Sequence, residues 1–160
     1  MSSTLLNRTT ATKANAFTEA EREAFLTELR IGRLATMRED GWPHVTPIWY
    51  VWEGGRFVLS LGKSRRHLTN IARDPKVTLC VDEDPRTTDL SKSPQAVVCY
   101  GLATLHEDEA TAREIGLKVE ERYLPAEARG PELDELLWFE GRVAVVIEPE
   151  RWLAWDQGKG

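Results

Sequence analysis

The stretch LSLGKSRRHLTNIARDP, residues 59–75, gathers Lys63, Arg65, Arg66 and Arg73 within a chain of formal net charge −5. Such a local concentration of cations is the residue chemistry of an anion site. Ser60 closes an apolar run, Gly62 permits an unusual backbone turn, and Ser64, Arg65 and Arg66 open a helical pattern whose first N–H groups lack intrahelical acceptors. Helix N-termini attract phosphate through those free amides and the positive end of the dipole, and an arginine fork adds paired, charge-assisted bonds. A solvated basic helix paired with acidic neighbours has the same charge spacing, so spacing alone does not decide between the two.

Other chemistry finds less support. His44, His67 and His106 are scattered and form no HExxH or other close ligand spacing, so no metal site is expected. Cys80 and Cys99 lie in apolar, strand-like runs without a CxxC spacing and read as buried free thiols. Nucleophile-elbow, Walker and dinucleotide-binding glycine patterns are absent, which removes the usual hydrolase, NTPase and Rossmann readings.

The elements that must position the basic stretch follow from periodicity. Residues 1–16, rich in Ser, Thr, Asn and Ala, read as a mobile arm, and 17–160 as one domain. FTEAEREAFLTELR predicts a helix with a Thr18–Glu21 capping box and with Phe25, Leu26 and Leu29 on one face. GRLATMRE, HVTPIWYVWE and RFVLSL predict three successive strands, divided by the turn signals Asp40-Gly41 and Glu53-Gly54-Gly55. A short helix from Ser64 to Arg73 follows, with Leu68, Ile71 and Ala72 facing inward and Asp74-Pro75 as its stop.

KVTLCVD and AVVCYGLATLH predict two more strands, EDEATAREIGLKVEERYL a helix burying Ile115, Val119 and Tyr123, PELDELLWFE a shorter helix, and RVAVVIEP a buried final strand. Five or six mostly antiparallel strands with peripheral helices predict a mainly β fold, closed as a small barrel because closure removes exposed edges. The sequence pI of about 5.3 argues against a nucleic-acid partner. No apolar run approaches the roughly 20 residues of a membrane span, and the polar start lacks a signal-peptide core, so a cytoplasmic protein without membrane association is expected.

The order IGRLATMREDGWPHVTPIWYVWEGGRFVLSL, SRRHLTNIARDPKVTLCVD, AVVCYGLATL and RVAVVIEP resembles the FMN-binding split-barrel superfamily over roughly residues 17–157. Within it the match is to pyridoxamine 5'-phosphate oxidase-like flavin and deazaflavin oxidoreductases. The resemblance implies an antiparallel FMN-binding split β-barrel and a homodimer with the cofactor, FMN or F420, in a groove between subunits. It places Ser60, Arg65, Arg66, His67 and Asn70 at the phosphate and Val45, Thr46, Pro47 and Ile48 along the ring. Lys63, with Arg65 and Arg66, would suit the phosphate and oligoglutamate tail of F420. Pro47, which cannot donate a ladder hydrogen bond, is equally read as an ordinary edge-strand proline.

Two departures qualify the resemblance. Many relatives carry Lys where His67 aligns, and His is neutral much of the time near neutral pH unless a phosphate raises its pKa. The ending ERWLAWDQGKG lacks the Arg-x-His signature of true pyridoxamine phosphate oxidases and is similar to deazaflavin-using relatives. The implied activity is hydride transfer from F420 or FMN to a small conjugated substrate. Alternatives are a flavin- or haem-binding protein without turnover and a structural dimer with an empty groove. Tyr50 and His44 are the side chains near the ring segment able to donate a proton, although strand parity counts against both. Trp152 and Trp155, past the last expected strand, would cover a partner subunit, a cofactor ring or the barrel itself.

Overall fold

The computed structural model describes residues 15–159, apart from 132, 134 and 136–140. Most of the expected N-terminal arm and of the helix PELDELLWFE lies outside the described residues. The helices α1 (Glu19–Thr27), α2 (Arg66–Arg73) and α3 (Glu109–Tyr123) pack around the strands β1 (Gly32–Met37), β2 (Pro43–Ile48), β3 (Val51–Glu53), β4 (Arg56–Gly62), β5 (Lys76–Glu83), β6 (Gln95–His106) and β7 (Arg142–Asp156). All strand pairs are antiparallel, in the order β2-β1-β5-β6-β7-β4-β3.

That order dictates the shape. β2 and β3 occupy opposite edges of the sheet, yet only Trp49 and Tyr50 separate them in the chain. The sheet must therefore curl until its edges meet, closed by covalent continuity where no ladder joins them. HVTPIWYVWE, expected as one strand, is two, because its halves pair with different neighbours: β2 with β1, and β3 with β4. The turns between β1 and β2 and between β3 and β4 carry Gly41 (φ 83°), Gly54 (58°) and Gly55 (77°), values that a side chain would strain.

The core lies inside the curl, where Leu34, Phe57, Leu59, Leu79, Val81, Val97, Cys99, Val145 and Ile147 are fully enclosed. A second cluster packs Ile115 and Val119 of α3 against Val58, Ala144 and Val146 on the outer face of β4 and β7. Covered on both faces, these two strands read as continuous apolar runs rather than alternating ones. Burial pushes the Cys99 thiol up to about 12, as suits an inert core cysteine, while Cys80 is half-buried.

Several expectations need correction. The Thr18–Glu21 capping box forms, but α1 ends at Thr27 and Glu28 is extended, so Leu29 leaves the helix and is 62% exposed. Ala72 is exposed too, and α2 buries His67, Leu68, Asn70 and Ile71 instead. The final strand runs on to Asp156, pairing with all of β6 around a bulge at Tyr100/Gly101 where Pro149 sits. A Cβ on Gly101 would stand 2.6 Å from the Glu148 carbonyl oxygen, which explains glycine there.

Trp152 and Trp155 thus belong to β7 rather than to a tail. Trp152 packs on its own barrel, 5.7 Å from the Trp52 ring and 6.1 Å from Phe57, with the Arg22 guanidinium 4.5 Å above it. Trp155 pairs with Ala96 across the ladder and bridges Ala16 on its other side. No helix of the described residues is long and apolar enough to cross a membrane.

Candidate functional site

The seam between the sheet edges opens into a cleft of about 540 Å³. Thr46, Pro47 and Ile48 of β2 and the joint residue Trp49 form one wall, Ser60, Leu61 and Gly62 of β4 the other, and Arg65, His67 and Arg142 one end. Ile31, just before β1, completes the apolar side opposite those cations. The cleft is therefore polarised, aromatic and aliphatic along its walls and basic at its end, with no carboxylate among the described residues lining it.

The basic end is assembled by the entry into α2. The chain leaves β4 at Gly62, the Arg65 amide donates to the Gly62 carbonyl at 3.1 Å, and Arg65 takes the N-cap position with extended backbone. The helix thus starts two residues later than expected, and Arg65 makes no side-chain cap bond. Its first turn contains no acidic residue, so nothing there compensates the positive end of the helix. Leu68 and Ile71 anchor the other side of α2 in the core and so place His67 in the wall of the cleft.

Arg142, the first residue of β7, stands beside Gly62 in the ladder. Its Nε donates to Ser60 Oγ at 3.0 Å and its Nη2 to the Ser60 carbonyl at 2.5 Å, fixing the guanidinium over the end of β4. Burial pulls its pKa down, Glu120 opposes that and Arg65 adds to it, so the two arginines repel across the cleft. His67 is only 4% exposed, and its Nε2 is a buried polar atom without a hydrogen-bond partner. Burial first, then His44 and Arg65, hold its pKa down to about 4.

Of the residues expected at a cofactor, Thr46, Pro47, Ile48, Ser60, Arg65 and His67 line this cleft. The others stand elsewhere. Val45 does not line the cleft and is 59% exposed. Lys63 lies against Gly141, and Arg66 shares a separate groove with Arg38, Asp40, Asn70 and Arg73. Asn70 is buried and donates from Nδ2 to Thr36 Oγ1 at 2.9 Å, tying α2 to β1. Replacing Asn70 by Ala removes that bond and leaves the Thr36 hydroxyl buried, so a loss of about 1–3 kcal/mol in denaturant unfolding is expected, with ligand affinity unchanged.

Neither proton-donor candidate lines the cleft. The Tyr50 hydroxyl donates to the Leu26 carbonyl at 3.1 Å inside the core, and burial raises its pKa to about 12. His44 shares the β2 face of Thr46 but does not line the cleft, its ring 6.2 Å from that of His67 and its Nε2 3.1 Å from Thr46 Oγ1. Sequence reasoning missed Arg142 and Trp49. Arg142 is the cation at the head of the apolar run Val143–Ile147, a signal that could have marked it. Trp49 stacks on Tyr123 of α3 at 4.9 Å with the rings 2° from parallel. The Tyr123 hydroxyl accepts from the Tyr50 amide and donates to the Arg30 carbonyl, so the pair is a fixed shelf at the cleft wall.

A mainly antiparallel β sheet curled on itself and open at one seam defines a split β-barrel. The chain belongs to the pyridoxamine 5'-phosphate oxidase family, whose model matches residues 18–156. Among solved structures it is similar to a conserved hypothetical protein from Mycobacterium tuberculosis, with 29% identity and a TM-score of 0.75 over 92% of this chain and 90% of that one. An F420 reductase shares 25% identity and a TM-score of 0.63 over 82% of this chain and 94% of its own. HutZ, the haem storage protein from Vibrio cholerae, shares the fold, with 21% identity and a TM-score of 0.66 over 89% of this chain and 96% of its own. No curated protein matches the chain.

Proposed function

We propose that the cleft holds F420 or FMN, with the phosphate against Arg65, Arg142 and His67 and the ring along Thr46, Pro47 and Ile48, and that the protein is an oxidoreductase acting on a small conjugated substrate. The observation that carries this reading is the polarised cleft: cationic groups without a carboxylate at one end, a flat wall of β2 edge and Trp49 leading away from it. The orphaned Nε2 of His67 is a buried polar atom that an anionic oxygen would satisfy. The likeness to an F420 reductase supports the deazaflavin choice.

When bound, either cofactor supplies the hydride chemistry. The chain's own residues would orient and hold it. Arg65 and Arg142 neutralise the phosphate, the Trp49–Tyr123 shelf fixes the depth of the wall, and Ile31 and Ile48 exclude water from the apolar part. A homodimer completes this proposal, with a second copy covering the open side of the cleft. Met37, Trp42 and Val45 on the β1–β2 hairpin, 43%, 72% and 59% exposed, offer apolar surface for it.

A holding protein for flavin or haem, without turnover, is the second reading. It is favoured by the lack of a lining side chain poised to donate a proton, since His67 is neutral near pH 7. Titrating the purified protein with FMN, F420 and haemin, followed by fluorescence quenching and by light scattering for mass, tests these readings together. Tight F420 or FMN binding to a dimer is expected, with reduced cofactor then reoxidised by a quinone or unsaturated lactone. Binding of haemin alone would replace the oxidoreductase reading with the second, and a monomer that binds cofactor at full affinity would remove the dimer.

A further inference from the structure

We infer that His67 makes phosphate recognition proton-linked: neutral in the free protein, its imidazole takes up one proton from solvent when a phosphate dianion enters between Arg65, Arg142 and Ser60. This deepens the proposed function and rests on its reading of the cleft as a phosphate site. His67 thereby becomes a specificity-determining residue, selecting the phosphorylated ligand over its phosphate-free parent.

The argument starts from position. His67 lies in the first turn of α2, 4% exposed, with Nε2 unpaired, and it shares the cleft end with Arg65 and Arg142. Two of the groups around this end, His44 and Arg65, disfavour a second proton on the ring. Arg65 stands at the start of its own helix, His44 faces it from β2 at 6.2 Å, and Arg142 reaches in from β7. The β4 wall offers the Ser60 hydroxyl, and the Thr46 hydroxyl on β2 is bonded to His44. Glu120 acts on Arg142 from α3 and is the one carboxylate among these groups.

Burial above all, with His44 and Arg65 adding to it, holds the ring neutral, with a pKa of about 4. A phosphate dianion reverses the field. Opposite charge at hydrogen-bond distance favours the protonated imidazole, and the unpaired nitrogen becomes a charge-assisted donor to a phosphate oxygen. The linkage has a definite sign. Because the bound state carries one more proton on His67 than the free state, affinity falls as pH rises, by up to about tenfold per unit between the two pKa values. The phosphate's own ionisation near ~6 acts the other way below that value, so the slope is read from about pH 7 upward.

The test is ¹⁵N NMR of the histidine side chains at about pH 7.5 in the wild-type protein, with FMN, F420, riboflavin and inorganic phosphate as probes. The expected result is a neutral His67 ring alone and with riboflavin, and an imidazolium with FMN and with inorganic phosphate, the two probes that carry a phosphate dianion. His67→Gln is expected to bind FMN more weakly and to lose the pH slope above pH 7, whereas His44→Gln keeps it. A ring that stays neutral while FMN is bound overturns this inference and leaves the cofactor reading intact. Protonation by inorganic phosphate without binding of either cofactor supports the inference and removes the cofactor reading. Equal protonation by riboflavin, or failure of every phosphate-bearing probe to bind, overturns the inference.

Discussion

Arg142→Ala is expected to weaken FMN or F420 binding by about 100-fold, roughly the 3 kcal/mol that a lost charge-assisted contact and its unpaired partner cost. The guanidinium is held at the end of the cleft by its two bonds to Ser60. It is thus oriented before any ligand arrives, and little side-chain entropy is lost on binding. Arg66→Ala provides the contrast. Arg66 neighbours Arg65 in sequence but lies in the groove with Asp40 and Arg73, so an affinity within about twofold of wild type is expected. Fluorescence titration of both variants measures the difference. Equal losses would mean that the phosphate lies outside the cleft, toward Arg66. Arg142→Lys should recover only part of the affinity, since an ammonium cannot reproduce the forked geometry.

The second large effect concerns the barrel itself. Phe57 is fully enclosed between the rings of Tyr50 at 5.3 Å, Trp52 at 4.7 Å and Trp152 at 6.1 Å. Phe57→Ala removes the centre of that group and leaves a cavity that three large, mutually wedged rings cannot easily fill. A loss of about 3–5 kcal/mol is expected, read as a fall in the urea midpoint with an unchanged slope. Trp52 is also bonded from Nε1 to Glu23 of α1, which limits how far the rings can shift. An effect below about 1 kcal/mol would mean that the cluster repacks freely. The protein that remains folded should keep its ligand affinity, the inverse of the Arg142 result.

These two residues also show what could be read in the sequence. Phe57 sits in a short apolar run after Gly54-Gly55, and both its strand and its burial follow from that pattern. The turn glycines, the α1 capping box and the basic entry to α2 were legible for the same reason, since each depends on residues a few positions apart. Arg142 is different. It is 82 positions from Ser60, and only the β4–β7 register brings them together. The split of HVTPIWYVWE was likewise hidden, because local propensity carries Trp49 and Tyr50 through as strand, and the break appears only once the halves find different partners. The family resemblance grouped Arg65, Arg66 and Asn70 at the phosphate, whereas the helical turn of about 100° per residue sends Arg66 and Asn70 away from the cleft.

The joint at Trp49 and Tyr50 has a metric meaning. From Ile48 to Val51 the chain takes three steps and reaches no more than about 11 Å, so it sets a ceiling on how far the sheet edges can part there. The cleft is gauged by a covalent spacer as well as by side-chain packing. Lengthening the joint by one residue would add about 3.5 Å to that ceiling, so joint length is a dial by which this barrel could exchange one thickness of ligand for another.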